Sequence, residues 1–223
     1  MIKAVTIIGR KPGMSVAAFQ EYWRGPHAEI VKDLPGLRRY VQSHPLRSGY
    51  GKRDLVHDGV AEVWVDDMKS LRAMSASPHY AAVQADEENF IHRTTMALVL
   101  TEEHVIKDGP APPDGVKAIT FLKRRPEMSV PDFQTYWREV HGPIAAQIPV
   151  LKRYVQSHTR LGGYRNGRMP FYDGLAIAWF NSTDAMRVSA TTEEYARTRA
   201  DEPNFLSVED MAFIIAREHV IVD

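Results

Sequence analysis

Hydrophobic and polar positions along the first half of the chain follow two different periods. Ile2 to Gly9 is short and rich in β-branched residues, which predicts a strand. After a turn, Ser15 suits the N-cap of a helix that extends to about Asp33. Four bulky residues of that helix share one stripe, which predicts burial against a sheet: Phe19, Tyr22, Trp23 and Ile30.

The remaining elements of this half are two strands, a helical region and a closing strand. Strands are predicted over Leu37–Leu46, Val60–Val65 and Met96–Ile106, and a second helical region over Asp67–Asp86. A polar loop over residues 47–57 separates the second strand from the third. The order is therefore strand, helix, strand, strand, helix, strand.

The same unit occurs twice. FQEYWRGPHAEI at residues 19–30 matches FQTYWREVHGPI at 133–144, with an offset of 114 and seven identical positions. The hexapeptide RYVQSH follows in both copies, at 39–44 and 153–158. Self-similarity of this length predicts two copies of one folding unit. We expect repeats at 1–107 and 116–223, with a Pro/Gly-rich linker at 108–115.

The first helix contains a proline in each copy, but at different positions. Gly25-Pro26 interrupts the first copy, whereas the second has Glu139-Val140 there and carries its proline at Pro143. Because proline lacks a backbone donor, we expect a helix distortion that shifts between the copies.

This element order predicts an α+β fold in the ferredoxin-like arrangement, with an antiparallel four-stranded sheet and both helices on one face. The other face of each sheet is left bare. We therefore expect the two βαββαβ repeats to close face to face within one chain, around a lumen. Whether two chains associate further into a homodimer is left open.

Composition excludes several classes of function. Lys plus Arg and Asp plus Glu are both 28, so no net field attracts nucleic acid or a membrane surface. The chain has no cysteine, which excludes disulfides and thiolate chemistry. No apolar stretch is long enough to span a membrane. The first strand is predicted to begin at residue 2, without the basic and apolar regions of a signal peptide. We expect a cytoplasmic protein with a small-molecule substrate.

The motif residues of both halves resemble the EthD family. In the first half they are the run from Arg10 to Ser15, Phe19, Tyr22-Trp23, His27, Tyr40-Val41-Gln42, Asp58-Gly59 before Glu62 and Trp64, and Glu103-His104. The resemblance implies a tandem member of the dimeric α+β barrel superfamily. Its members usually pair two chains, whereas this chain would pair its own halves. The superfamily includes muconolactone isomerases, polyketide cyclases, cofactor-free quinol monooxygenases and haem-degrading monooxygenases.

One strand carries three polar residues on one predicted face, namely Tyr40, Gln42 and His44. We expect Leu37 and Val41 to supply the face packed on the helices, which would turn the polar face into the lumen. His44 would then act as a general base or acid, and Tyr40 or His27 would donate to a developing oxyanion. The alternative is a set of hydrogen-bonded structural residues.

Glu62 is the sharpest single candidate, because an acid between Val60 and Trp64 in a strand is expected to be buried. Burial would raise its pKa and suit it to proton transfer, whereas the alternative is an ion pair with an arginine such as Arg38. Its repeat equivalent is Ile177, which predicts that the two sites are not equivalent. The leading hypothesis places the substrate in the first-half lumen and leaves open whether the second-half lumen is active.

Further side chains are predicted to contact substrate or line the lumen. Asp86 and Asp201, with nearby asparagines, are instead expected to cap helices and loops. Tyr50 and Tyr164, in the loops before the third strands, could cover the lumen. The other predicted substrate-binding residues are Gln42, Trp64, His104, His141, Tyr154 and His158.

No dinucleotide fingerprint, phosphate loop or zincin spacing occurs, so no cofactor and no metal is expected. The leading hypothesis is a cofactor-independent lyase, dehydratase, isomerase or cyclase acting on a small carbonyl-bearing ring compound in a catabolic or polyketide-like pathway. The alternatives are a haem- or quinol-type monooxygenase and a small-molecule-binding protein without turnover.

Overall fold

Two βαββαβ repeats account for the strands and helices of the computed structural model, which describes residues 1–51 and 54–223. The predicted loop at 47–57 includes positions 52 and 53, which lie outside the described residues. The elements of the first repeat are β1 (Ile2–Ile8), α1 (Val16–Tyr22), a π-helical turn (Trp23–His27), α2 (Ala28–Val31), β2 (Arg39–Pro45), β3 (Gly59–Val65), α3 (Met68–Ser75), α4 (Pro78–Glu87) and β4 (Ala97–Lys107).

The second repeat has the same order, which confirms the predicted fold class. Its elements are β5 (Val116–Leu122), α5 (Val130–Tyr136), a π-helical turn (Trp137–His141), α6 (Gly142–Ala145), β6 (Arg153–Thr159), β7 (Gly174–Phe180), α7 (Thr183–Ser189), α8 (Glu193–Asp201) and β8 (Ala212–Val222). Short 3₁₀ segments lie at Arg47–Tyr50, Arg93–Thr95, Leu161–Gly167, Glu202–Asn204 and Val208–Asp210.

The chain divides into two compact units whose limits differ from the predicted repeats. One unit comprises Met1–Leu100 with Glu218–Asp223, and the other comprises Thr101–Arg217. The long strands β4 and β8 therefore each contribute residues to both units. The repeat boundaries and the pairing of the repeats around a lumen stay predictions.

Each unit has an antiparallel sheet with its third strand flanked by the first two. In the first unit β3 pairs with β1 and β2. In the second unit β7 pairs with β5 and β6, while β8 extends the sheet beside β5 and β4 extends it beside β6. This arrangement follows from the βαββαβ order, in which the helices return the chain across one face of the sheet.

The helices cover one face of each sheet. In the first unit Tyr40 and Val65 pack in one cluster with Val31, Met74 and Val83 from the helices. The helix begins as predicted, since the Ser15 hydroxyl accepts the N–H of Ala18 at 3.1 Å.

No helix among the described residues has both the length and the apolar character that crossing a bilayer requires.

Candidate active site

A π-helical turn interrupts the first helix at the same place in both repeats, over Trp23–His27 and Trp137–His141. The prediction that the distortion shifts with the proline is wrong. The turn instead coincides with a side-chain contact that both repeats share. The amide of Gln42 donates to the carbonyl oxygen of Trp23 at 2.8 Å, and Gln156 donates to that of Trp137 at 2.7 Å. Such turns frequently occur at functional sites.

The π turn of the second repeat ends at a buried histidine that is paired with an aspartate. His141 Nδ1 lies 2.9 Å from Asp201 Oδ2, at the end of α8. Asp201 also accepts hydrogen bonds from the Tyr136 hydroxyl at 2.7 Å and from Asn204 at 2.9 Å. The carboxylate therefore holds the Nδ1–H tautomer of the imidazole. Within residues 1–51 and 54–223, Nε2 of His141 has no hydrogen-bond partner.

The first repeat repeats this pairing. His27 Nδ1 lies 2.7 Å from Asp86 Oδ2, and Tyr22 donates to the same carboxylate at 2.7 Å. The predicted bond between Asp86 and Asn89 is present at 3.1 Å, but the role of Asp86 as the partner of His27 was missed. The signal was available, because Tyr22, His27 and Asp86 all recur in the second copy.

The polar residues of β2 and β6 face the helices rather than a lumen. His44 stacks on Trp23 of the π turn at 4.3 Å between ring centroids, and His158 stacks on Trp137 at the same distance. The predicted orientation of Tyr40, Gln42 and His44 is therefore wrong. Strict alternation separates two faces of a strand, but it does not say which face the helices cover.

A chain of hydrogen bonds connects the polar residues of β6. Because the carbonyl oxygen of Trp137 can only accept, the Gln156 nitrogen faces it and Oε1 is left to accept from His158 Nε2 at 2.9 Å. Burial lowers the pKa of His158 to about 3, an effect that His104 increases, so the ring is neutral. Its Nδ1 is buried, with no hydrogen-bond partner among the described residues.

The phenol of Tyr154 accepts two hydrogen bonds. Trp137 Nε1 donates to it at 3.1 Å and Gln156 Nε2 donates at 3.3 Å. Burial raises the pKa of Tyr154 to about 12, so its proton is retained. Both lone pairs of the phenol oxygen are occupied, which leaves the O–H as a donor to a further acceptor.

A cavity of about 620 Å³ lies within the second unit, between the sheet and the helices. His141, Tyr154 and Trp137 line it, together with Glu202 and Tyr195. Glu202 was missed from the sequence, although it follows the repeated aspartate in both copies. Burial raises the pKa of the Glu202 carboxyl, and this effect is opposed by Arg199, which lies 2.6 Å away.

The matching cavity of the first unit measures only about 140 Å³. It is lined by the equivalent polar residues, namely Trp23, His27, Tyr40, Tyr80 and Glu87. Three larger side chains occupy its wall at repeat-equivalent positions: Val31 for Ala145, Val63 for Ala178 and Met74 for Ser189. The two cavities therefore differ in size, and the larger one belongs to the second repeat.

Glu62 lies on the opposite face of its sheet from His44. Its Oε1 is 3.0 Å from Lys3 Nζ, and both side chains are buried. The proposed partner Arg38 instead binds Asp66. Trp64 shares the face of Glu62, with Lys3 Nζ 5.2 Å from its ring centroid. Glu62 and Trp64 are therefore not brought together with the histidine–aspartate pair.

The remaining candidates lie around the two cavities rather than in them. His104 meets His158 edge to face at 4.5 Å, and His219 meets His44 at 4.7 Å. Tyr164 donates to Asp173 at 2.6 Å beside Arg124. Tyr50 lies in the equivalent position beside Arg10. Neither tyrosine lines either of these two cavities.

Two segments of the chain, residues 11–94 and 125–209, match the model of the EthD domain. The chain belongs to the EthD family. No curated protein matches the sequence.

Among solved structures, this EthD protein is similar to an anthrone oxidase-like protein, with 12% identity, a TM-score of 0.67, and coverage of 100% of this chain and 94% of that one. It is also similar to a provisionally named monooxygenase from Lactobacillus acidophilus NCFM, with 11% identity and a TM-score of 0.58. The match covers 98% of this chain and 94% of that one. An EthD family protein from Bacillus halodurans C-125 is 23% identical, with a TM-score of 0.39, and covers 47% of this chain and 99% of its own. At these identities the likeness of the anthrone oxidase-like protein and the monooxygenase shows the fold alone.

Proposed function

We propose that this EthD protein removes a proton from a carbon next to a carbonyl group, in a ring compound bound by the second repeat. The supporting observation is His141, held by Asp201 and lining a cavity of about 620 Å³. Cavities of roughly 300–1,000 Å³ suit drug-sized ligands. A compound of two or three fused rings fits this range.

His141 is the base in this proposal. Asp201 retains the proton on Nδ1, so the lone pair of Nε2 is available to the substrate. Burial lowers the pKa of His141, and Asp201 opposes this effect. The net lowering keeps the imidazole neutral near pH 7, which is the form that accepts a proton.

Tyr154 stabilises the charge that proton removal creates. The electron pair of the broken C–H bond moves to the carbonyl oxygen, which becomes an enolate. The Tyr154 O–H, which has no acceptor among the described residues, donates to that oxygen. The protonated His141 then delivers the proton to another ring carbon or to a departing hydroxyl group. The products are then an isomer, or a dehydrated ring and water.

This assignment differs from the one made on sequence alone. Tyr154, and not Tyr40, is the proposed hydrogen-bond donor to the oxyanion. His141, and not His44 or Glu62, is the proposed base. His158 takes no part in proton transfer here, because its Nε2 proton binds Gln156. The proposed active cavity lies in the second repeat, whereas the sequence hypothesis placed the substrate in the first.

A second candidate function is cofactor-free oxygenation, favoured by the structures named monooxygenase and anthrone oxidase-like. It begins with the same proton transfer. The resulting carbanion reacts with O₂ and a proton to give a hydroperoxide. Loss of water then leaves a ketone on the reacting carbon, so that one oxygen atom enters the product and the other leaves in water.

Deuterium exchange tests the shared first step. Anthrone serves as the probe, in D₂O without oxygen, and exchange at its acidic methylene carbon is followed by mass spectrometry. We expect His141→Ala to slow exchange by about 10²–10⁴-fold, the usual contribution of a general base. His27→Ala, the equivalent change in the smaller cavity, is compared directly. An equal or larger loss from His27→Ala would contradict the assignment to the second repeat.

Oxygen consumption separates the two fates. If the protein is an oxygenase, admitting O₂ to the anthrone sample gives stoichiometric oxygen uptake and anthraquinone. If it is a lyase or isomerase, a suitably hydroxylated ring compound, tested in a separate sample, gives an isomer or a dehydrated product. Binding of anthrone without exchange would favour the third reading, a binding protein. Addition of haem, followed in the Soret region, tests the haem alternative.

A further inference from the structure

Three polar side chains that can form hydrogen bonds line the small cavity of the first repeat. His27, Tyr40 and Glu87 line it, and the rest of the wall is mainly apolar, with Ala4, Ile8 and Leu34 among its residues. Such a combination of a few polar groups with an apolar wall is typical of ligand sites.

Each of the three polar groups has unused bonding capacity. Tyr40 accepts from Gln42 Nε2 at 2.8 Å, so its O–H remains to donate. In the described part of the chain, His27 Nε2 has no partner, because Asp86 occupies Nδ1.

The third group is a carboxylate oxygen. Glu87 is about nine-tenths buried, and its Oε2 makes no hydrogen bond within the described residues. It forms an ion pair with Arg93, whose Nη1 is 3.3 Å away without hydrogen-bond geometry. Burial raises the pKa of Glu87, and Arg93 opposes this effect.

We propose that this cavity is a second, separate binding site that takes a single-ring phenol or cyclic ketone. The ring lies against the apolar wall. Its oxygen accepts from Tyr40, and a phenolic hydroxyl donates to His27 Nε2 or Glu87. The volume supports this ligand class, since a dry cavity of about 150 Å³ in another protein holds one benzene molecule.

Ligand size separates the two sites. Val31, Val63 and Met74 occupy space that is open in the second repeat, so a second fused ring cannot enter the first cavity. The inference goes beyond the proposed function, because binding of a single ring requires no turnover. Direct binding measurements therefore fail or succeed independently of the exchange assay.

Titrations with 4-fluorophenol and 1-naphthol, followed by ¹⁹F NMR and calorimetry on the full chain, test the site. Ala4→Leu places a larger side chain in the first cavity, and Ala118→Leu makes the equivalent change in the second. We expect Ala4→Leu to weaken 4-fluorophenol binding to the first site by at least about tenfold, or 1.4 kcal/mol. It should not change the dissociation constant of 1-naphthol, which the second site binds.

Two size-changing variants provide the converse test. Ala145→Val with Ser189→Met should remove 1-naphthol binding and keep 4-fluorophenol binding. Val31→Ala with Met74→Ser should add a second 1-naphthol per chain. Circular dichroism and thermal melting check the fold of each variant.

Crystals soaked with 4-bromophenol locate the ligand through the anomalous signal of bromine. A peak between the sheet and the helices of the first unit, together with the titrations, supports the proposal. It is overturned if bromine is absent from this cavity, if only water fills it, or if Ala4→Leu leaves 4-fluorophenol binding unchanged.

Discussion

The side-chain amide of Gln156 donates a hydrogen bond of 2.7 Å to the main-chain carbonyl oxygen of Trp137. This bond joins β6 to the π turn that ends at His141. The same amide contacts Tyr154 and accepts from His158. One residue therefore sets both the position of the proposed base and the direction of the tyrosine proton.

We expect Gln156→Leu to lower the free energy of unfolding by about 1–3 kcal/mol, because it leaves a buried carbonyl and a buried imidazole N–H without partners. Anthrone exchange should fall through kcat more than through KM, since Tyr154 is no longer directed. Urea denaturation and exchange kinetics measure the two effects. Gln42→Leu removes the same contacts from the first repeat and should cost similar stability. Full exchange activity in Gln156→Leu would contradict the positioning role.

Gly174 is required by the close approach of Trp137. A Cβ atom at this position would lie 2.5 Å from the Trp137 ring and 2.9 Å from the carbonyl oxygen of Ser157. We expect Gly174→Ala to destabilise the protein by about 1–3 kcal/mol, as overpacking usually does. Displacement of Trp137 should alter its near-UV circular dichroism. Gly59 faces Trp23 in the same way, so Gly59→Ala provides the matched comparison. An unchanged melting temperature in both variants would refute the steric argument.

The rate of exchange should depend on pH through His141. Its pKa lies below the ordinary value of about 6.5, so the base stays neutral, and the rate stays maximal, down to a pH below 6.5. Asp201 acts to raise that pKa. Asp201→Asn should therefore move the acid limb of the kcat/KM profile to lower pH, while the plateau falls because the ring loses its anchor. A shift to higher pH would count against this pairing.

Stability should fall in acid through the buried histidines of β2 and β6. Burial lowers the pKa of His44 and of His158 to about 3 in the folded protein, against about 6.5 when unfolded. The unfolded state binds the proton first, so the stabilisation is complete above about pH 6.5 and is lost as the pH falls toward 3. At pH 5 each histidine should lower the free energy of unfolding by about 2 kcal/mol relative to its value at pH 8.

Denaturation at the two pH values measures this loss. His158→Phe preserves an aromatic ring against Trp137 and removes one titrating group, so the difference between pH 8 and pH 5 should shrink. An unchanged difference would show that other groups determine the acid sensitivity.

Glu62 should behave as a structural residue. Its ion pair with Lys3 is buried, and removal of one partner of a buried pair typically costs about 3–5 kcal/mol. We expect Glu62→Ala to lower the melting temperature strongly, while any folded fraction retains anthrone exchange. Loss of exchange with an unchanged melting temperature would restore Glu62 as a catalytic candidate.

The sequence predicted the polar cluster of β2 and β6 but misplaced it. Tyr40, Gln42 and His44 share one face of β2 as predicted, but that face is turned to the helices. Alternation assigns residues to two faces, and the choice between those faces depends on which one the connecting helices cover. Glu62 was correctly expected to be buried, but its partner Lys3 comes from a strand far away in the chain.

The sequence alone determined the element order, the duplication and the family, because these follow from local hydrophobic period and from residues that recur at a constant offset. Tertiary structure decided the rest. The pairing of His141 with Asp201 joins residues separated by 60 positions. The larger cavity of the second repeat arises from small differences at Ala145, Ala178 and Ser189, which lie on separate elements. A cavity is the space left when those elements pack, and no local pattern along the chain records it.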